Sequence, residues 1–375
     1  MNHPGNNNKI HKYVYIGILI LVIYCVFLQY TSYNVDNPEL DEKDEKIIEF
    51  VANLSSTSFS GTVLVAKGNT VLATNAVGLA DRGNGVPNTL ETQFNLGSMN
   101  KMFTAVAIMQ LVEQGKIDLN NTVGDYLIDY PNREVAEKVT IYHLLTHKSG
   151  LGDFFYRIYL QNSWNNHSDV IDYLPLFVDD PLLFEPGTQS RYSNAGYIVL
   201  GLIIEEVSGQ SYFDYIRENI IKQCGMTSST YLDSERSEAK VAVGYSFEGT
   251  SNIGQTLLNG CPAGGGYSTV YDLYNFSRAL LAGELLSPEY LEIMFIPRST
   301  FPELGTNESY GYGLMSRGLG EDRMIGHGGG SPGVSSACFF FPDQGYFIIV
   351  LSNIDLAAKQ QIDQMYEMII KEQTY

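Results

Sequence analysis

Sequence typical of β-strands stands at both ends of the 375-residue chain, and helical sequence fills its middle. Two β-rich runs at 62–66 and 70–74 flank a Gly-Asn pair, which predicts a hairpin. Further strands are predicted at 312–316, 335–341 and 346–352, the last two around a Pro-Asp-Gln-Gly turn. This arrangement predicts an α+β fold, in which one antiparallel sheet takes strands from both ends and is flanked by helices, with a helical subdomain inserted.

Helices are predicted near 43–54 and over 98–114, 195–207, 272–282 and 355–371. The helix over 98–114 carries apolar residues on more than one face, so we expect it to be buried. A glycine follows it, and a Ser-Gly pair follows the helix over 195–207. Glycine commonly ends a helix in this position.

An uninterrupted apolar and aromatic run occupies residues 13–28 and extends through Gln29 to Tyr30, and residues 13–30 are together long enough to cross a bilayer core. Lysines precede this run and a strongly acidic stretch follows it. The positive-inside rule then predicts a cytoplasmic tail at 1–12, a signal anchor at 13–30, a linker at 31–46 and an extracytoplasmic domain at 47–375. A cleaved signal peptide, which would leave a secreted protein, and a buried core helix are the alternatives.

The charge balance argues against several classes of function. There are 23 Lys and Arg residues against 42 Asp and Glu residues, a formal net charge of −19. This balance disfavours a nucleic-acid-binding protein and a protein held to anionic lipid by basic patches. Four cysteines are too few for a disulfide scaffold, and the usual zinc signatures are absent. We expect Cys224, Cys261 and Cys338 to be buried as small apolar residues.

Ser98-Met-Asn-Lys101 opens the predicted buried helix. A serine there lies near the positive end of the helix dipole, which favours a developing anion. Lys101 follows three residues later on the same face, and burial would lower its pKa enough for it to act as a base. The alternative is a capping serine followed by a lysine that reaches solvent. A second copy, Ser237-Glu-Ala-Lys240, has no apolar helix after it and is interpreted as chance.

Two further motifs carry polar groups or exposed backbone. Tyr192-Ser-Asn194 precedes the helix over 195–207, where the tyrosine could relay a proton and the asparagine could hold a substrate amide or the lysine. His327-Gly-Gly-Gly330 offers small residues and free N–H groups that can face an oxyanion. A glycine-rich hairpin with a surface histidine is the alternative for this segment. Tyr130-Pro-Asn132 and Lys148-Ser-Gly150 are rival copies of the second and third motifs.

These elements, in this order, resemble the serine β-lactamase and penicillin-binding protein superfamily. Their Tyr-x-Asn and His-x-Gly forms are similar to the class C-related branch, which includes esterases, D-amino-acid peptidases and D-Ala-D-Ala carboxypeptidases. The resemblance implies a β-lactamase/transpeptidase-like fold, and it sets Lys148 aside because the third motif should follow the tyrosine motif. It covers about 50–355, with family-like segments at 92–98, 144–151, 184–188, 192–197 and 327–333.

The resemblance implies a role for each residue of the first two motifs. Ser98 would be the acylated nucleophile. Lys101 and Tyr192 would share the general-base and proton-relay work, and Asn194 would position Lys101 or the substrate amide. No metal or organic cofactor is needed for this chemistry, and the partner would be a small-molecule or short-peptide substrate.

The third motif departs from that of efficient β-lactamases, which resemble one another in keeping a lysine where this chain has His327. Histidine is mostly neutral at pH 7, so a drug carboxylate would lose a charged partner.

The resemblance also implies that the N–H groups of Ser98 and Gly330 would form the oxyanion hole. The resemblance thus predicts a serine hydrolase acting through an acyl-enzyme on a small ester, a D-amino-acid peptide or a β-lactam-like substrate. The alternative is a catalytically idle penicillin-binding or scaffold protein on the same fold.

Overall fold

The computed structural model describes residues 40–57, 59–161, 167–231, 240–253, 259–301 and 308–370. Residues Lys46–Tyr375 form one compact unit. The membrane anchor predicted at 13–30 lies outside the described residues. Among the residues that are described, no helix is both long enough and apolar enough to span a bilayer.

The strands are β1 (Gly61–Lys67), β2 (Thr70–Val77), β3 (Leu79–Asp81), β4 (Val86–Pro87), β5 (Phe94–Asn95), β6 (Tyr267–Ser268), β7 (Ser299–Thr300), β8 (Ser309–Tyr310), β9 (Met315–Arg317), β10 (Met324–Ser331), β11 (Val334–Phe340) and β12 (Tyr346–Ser352). Eight of them form one antiparallel sheet with the order β2-β1-β12-β11-β10-β9-β8-β7. Two small two-stranded sheets, β3 with β4 and β5 with β6, accompany it.

The prediction of one sheet with strands from both ends of the chain is confirmed. Strand β1 pairs with β12, so that Gly61 lies opposite Ser352. The strand predicted at 312–316 begins later, at Met315, because Gly313 has a φ of +70° and its backbone lies against the helix that follows Ser98. A Cβ at Gly313 would lie 2.3 Å from the Cβ of Ala105. The glycine-rich segment with His327 lies within strand β10, which pairs with β11 in an antiparallel hairpin.

Both faces of the sheet are covered, which explains why its central strands are apolar without alternation. Val63 and Val65 face a cluster that contains residues of the helices at Glu42–Ala52 and Ala357–Ile370. Leu64 and Ala66 point to the other side, into the main core formed with the middle of the chain. The helices are α1 (Glu42–Ala52), α2 (Lys101–Glu113), α3 (Val123–Tyr126), α4 (Arg133–Lys138), α5 (Ile141–Leu145), α6 (Phe155–Gln161), α7 (Asn194–Ser208), α8 (Tyr212–Ile216), α9 (Val270–Leu281), α10 (Pro288–Phe295) and α11 (Ala357–Ile370).

Helix α2 is buried on all sides, as the sequence predicts. Ten of its thirteen residues are buried, and it packs against α7. Gly115 and Gly209 follow α2 and α7 with φ of +69°, the conformation in which glycine ends a helix. The prediction for the cysteines is also confirmed, because Cys224, Cys261 and Cys338 are free and buried.

Candidate active site

Ser98 lies in a 3₁₀ turn, Gly97–Asn100, that runs directly into α2. Gly97 has a φ of +52°, which favours glycine. A Cβ at this position would lie 2.9 Å from the backbone nitrogen of Gly330 on β10. On the other side, the carbonyl of Gly97 accepts a hydrogen bond of 3.0 Å from the N–H of Gly265. The turn is therefore fixed between β10 and the loop at 261–266, at the positive end of the α2 dipole.

Lys101 is the first residue of α2 and is fully buried, so it does not extend to solvent. Its Nζ donates a hydrogen bond of 2.6 Å to Oδ1 of Asn194 and another to the carbonyl of Ala263. The ring centroid of Tyr192 lies 4.8 Å from Nζ. Burial lowers the pKa of Lys101 from 10.5 to about 7, although attraction to the Asp153 carboxylate acts in the opposite direction.

Asn194 connects the lysine to an aspartate. It is the first residue of α7, and the side chain of Ser193 caps that helix. Oδ1 of Asn194 accepts from Lys101, while its Nδ2 donates to Oδ2 of Asp153 at 2.7 Å. These two bonds determine which end of the amide faces the lysine, because only the oxygen can accept.

Tyr192 is a neutral phenol at neutral pH. Burial raises the pKa of its hydroxyl well above the usual value of 10, and a side-chain hydrogen bond with Ser98 acts in the opposite direction. Its ring stacks on His147, with centroids 4.4 Å apart. A neutral phenol can donate one proton and accept another, so this group can pass a proton but is a poor source of phenolate.

His327 lies on β10 with its side chain only 1% exposed. Its Nδ1 donates to the carbonyl of Gly328, so Nε2 carries no proton and accepts from the Tyr310 hydroxyl at 3.0 Å. Burial lowers the pKa of His327 to about 3, which keeps the ring neutral. Both ring nitrogens of His327 are thus bonded within the protein.

His147 and Asp153 also belong to the site, although no motif assigned them a role. His147 has a φ of +56°, and its Nδ1 accepts a 3.1 Å hydrogen bond from the N–H of Ser193. Its Nε2 is buried and finds no hydrogen-bond partner within the described part of the chain. The family-like segment at 144–151 was a signal for His147. The sequence gives no comparable signal for Asp153, which is a single aspartate in a loop.

The six residues singled out from the motifs meet where the turn at Gly97–Asn100 lies against strand β10: Ser98, Lys101, Tyr192, Asn194, His327 and Gly330. The rival copies lie elsewhere. Lys240 is exposed and forms an ion pair of 3.1 Å with Glu91, while Ser237 is outside the described residues. Asn132 caps α4, and Lys148 lies over the ring of Tyr142.

Few charges surround the site. Asp153 is exposed, Lys101 is buried with a pKa near neutrality, and His327 is uncharged. Within the ranges that the structure describes, no group of three or more His, Cys, Asp or Glu side chains is placed to hold a metal ion.

Comparison with known proteins gives consistent relatives. The sequence model of the family described as Beta-lactamase matches residues 45–368. "Penicillin-binding protein 4*" of Bacillus subtilis is 31% identical over 339 residues, which cover 84% of this chain and 73% of the relative. The crystal structure of a penicillin-binding protein from Bacillus halodurans superposes with a TM-score of 0.76 at 31% identity, covering 86% of this chain and 98% of that one. A D-amino acid amidase from Ochrobactrum anthropi shares the fold, with a TM-score of 0.74 at 23% identity over 88% of this chain and 98% of the amidase.

Proposed function

Because this chain belongs to the β-lactamase family, we propose that it is a serine hydrolase in which Ser98 attacks the carbonyl carbon of an ester or amide. The bond from Oγ to carbon forms as the serine proton is removed. Collapse of the tetrahedral intermediate expels the alcohol or amine, which takes up a proton, and water then hydrolyses the acyl-enzyme ester. The substrate is a small molecule or a short peptide.

The state of Lys101 is the observation that carries this proposal. A neutral amine has two hydrogens and one lone pair, and the hydrogens are committed to Asn194 and to the Ala263 carbonyl. With a pKa of about 7, a large share of the lysine is neutral at physiological pH. Its remaining lone pair is then available for the proton of Ser98, which makes Lys101 the general base.

Tyr192 acts as the proton relay in this scheme. Its raised pKa argues against a phenolate base, and its hydrogen bond with Ser98 places it beside the nucleophile. The phenol accepts a proton from the lysine side and delivers its own to the leaving group. This exchange leaves the tyrosine neutral before and after acylation.

The oxyanion of the intermediate lies between the N–H groups of Ser98 and Gly330 in this proposal. The close approach of Gly97 to the Gly330 nitrogen supports it, because a side chain at Gly97 would separate the two segments. Backbone donors that are already in place stabilise the developing charge without reorganisation.

His327 is a positioning residue in this scheme. It holds the Tyr310 hydroxyl and supplies no charge to a substrate carboxylate. We therefore propose that neutral esters and amides are better substrates than carboxylate-bearing β-lactams.

The signal anchor at 13–30 remains a proposal too, with the hydrolase domain outside the cytoplasm, and N-terminal sequencing of the protein from membranes tests it.

A fluorophosphonate probe tests the nucleophile directly. We expect the purified parent protein to be labelled and Ser98→Ala to be unlabelled and inactive on p-nitrophenyl esters, while Ser237→Ala behaves like the parent. A parent that is not labelled and does not turn over esters would instead be the catalytically idle protein. Faster hydrolysis of nitrocefin than of the ester by the parent would contradict the substrate preference alone.

A further inference from the structure

His147 contacts three consecutive residues of the tyrosine motif. Its carbonyl accepts a hydrogen bond of 2.9 Å from the N–H of Arg191, and its Nδ1 accepts one of 3.1 Å from the N–H of Ser193. Between these two bonds, its ring stacks on the ring of Tyr192, with centroids 4.4 Å apart and planes inclined by 31°. This one residue therefore fixes the backbone on both sides of Tyr192 and the plane of its phenol ring.

The backbone of His147 has an unusual conformation. Its φ of +56° is in the left-handed region, which it shares with only Leu356 among the described residues other than glycine. Glycine or asparagine is the usual residue in this conformation after a helix, and α5 ends at Leu145. Strained backbone persists where surrounding contacts hold it, and it is concentrated at functional sites.

The segment that carries His147 is held on both sides. The carbonyl of Thr146 accepts from Oγ of Ser299 at 2.6 Å, and the carbonyl of Lys148 accepts from the N–H of Gly187 at 2.9 Å. The side chain of His147 is buried. Three further aromatic rings have centroids within 5.4 Å of the imidazole centroid: Tyr197, Phe301 and Tyr310. The imidazole is thus a rigid surface on which the ring of Tyr192 rests.

His147 passes no proton in the reaction. Because Nδ1 accepts from Ser193, the proton of the neutral ring is on Nε2, which has no hydrogen-bond partner in the described part of the chain. Burial lowers the pKa of His147 well below 6.5, so the ring stays neutral. A left-handed backbone and an unpaired buried N–H both cost stability, so the fold alone gives no reason for a histidine here. The contacts with the tyrosine motif do.

We propose that His147 is a positioning residue that fixes the hydroxyl of Tyr192 beside Ser98. This inference rests on the proposed function, in which Tyr192 relays the proton during acylation. The hydroxyl is at the far end of the side chain, so a small rotation of the ring displaces it more than any other atom of the residue. A misplacement of about 1 Å can cost about a hundredfold in rate.

Two substitutions each remove one contact of His147 and keep the other. His147→Asn keeps a hydrogen-bond acceptor and tolerates a positive φ, but it has no ring to stack on Tyr192. His147→Phe keeps a ring and has no side-chain acceptor for the N–H of Ser193. In burst kinetics with p-nitrophenyl propionate, we expect each substitution to lower the acylation rate constant roughly ten- to a hundredfold and to change the half-saturating ester concentration less than about twofold.

His143→Asn is the matched control. Nδ1 of His143 also accepts a hydrogen bond from a backbone N–H, that of Thr140 at 3.2 Å, and its ring lies near Tyr142 instead of Tyr192. This variant should be acylated at the parental rate. Urea midpoints of all variants show that they are folded.

The same substitutions in a Tyr192→Phe background separate positioning from a general loss of structure. A residue that acts by holding the Tyr192 hydroxyl has nothing left to hold in this background. His147→Asn should therefore slow the acylation of Tyr192→Phe by less than about threefold. Rates of fluorophosphonate labelling give the same comparison for variants that are too slow for a burst.

Several results would overturn the inference. Parental acylation rates in both His147 variants, or an equal loss with and without the Tyr192 hydroxyl, would leave the proposed function intact and remove the positioning role. Unfolding of both variants would make His147 a residue that the fold requires. A parent that shows no burst and no labelling would instead remove the proposed function, and this inference with it.

Discussion

The pH dependence of acylation follows from the burial of Lys101. If Lys101 is the base, only its neutral form accepts the serine proton, so kcat/KM should rise with pH through a pKa of about 7. From pH 5.5 to pH 8.5 the neutral fraction grows about thirtyfold, and kcat/KM should grow by the same factor. Stopped-flow measurement with p-nitrophenyl propionate, which has no ionising group in this range, gives the profile. Ser98→Ala supplies the correction for spontaneous hydrolysis.

Two features of this profile separate the buried lysine from other bases. Asp153→Asn removes an attraction that raises the pKa of Lys101, so the midpoint should move to lower pH. Lys101→Arg, which stays protonated, should show no rise at all. A flat profile for the parent, or a midpoint above pH 9, would refute the reasoning that burial prepares Lys101 as the base.

Three further predictions concern stability, the relay and the oxyanion turn. The folded pKa of Lys101 is about 7 and the unfolded pKa about 10.4, so the free energy of unfolding of the parent should gain about 2 kcal/mol over Lys101→Met between pH 7 and 9. In this window the unfolded lysine binds its proton more strongly than the buried lysine does, so the cost of burying Lys101 declines as pH rises. Urea unfolding of both proteins at pH 7 and at pH 9 measures the difference in their free energies of unfolding. A difference that is the same at both pH values would contradict the prediction. Tyr192→Phe should slow acylation by roughly 10²–10⁴-fold in burst kinetics, the usual contribution of a positioned acid–base group, and a burst at the parental rate would remove the relay. Gly97→Ala should lower kcat/KM by roughly 10²-fold, because its Cβ meets the Gly330 nitrogen. Gly115→Ala is the control with a similar positive φ and nothing near its Cβ, and an equal loss there would mean that backbone strain alone is responsible.

The sequence by itself was sufficient for the features that depend on local spacing and patterning. Apolar runs at both ends of the chain, around a helical middle, predicted one sheet with strands from both ends. The runs were recognisable because strands buried on both faces must be apolar throughout. Ser98 and Lys101 lie three residues apart at the start of an apolar helix, and helix geometry alone brings such residues to one face. The glycine after α2 was recognisable as its end because few other residues adopt its conformation.

Tertiary structure decided the chemical state of these groups. The lysine has a lowered pKa because α2 is enclosed, and its two hydrogens are committed because Asn194 and Ala263, 93 and 162 residues away, approach it. Both ring nitrogens of His327 are bonded. Nδ1 donates to the carbonyl of Gly328, and Nε2 accepts from the hydroxyl of Tyr310, which the fold brings in on β8. Asp153 joins the site through its hydrogen bond with Asn194. No local pattern encodes such contacts, since hydrogen bonding and desolvation depend on which distant segments the fold brings together.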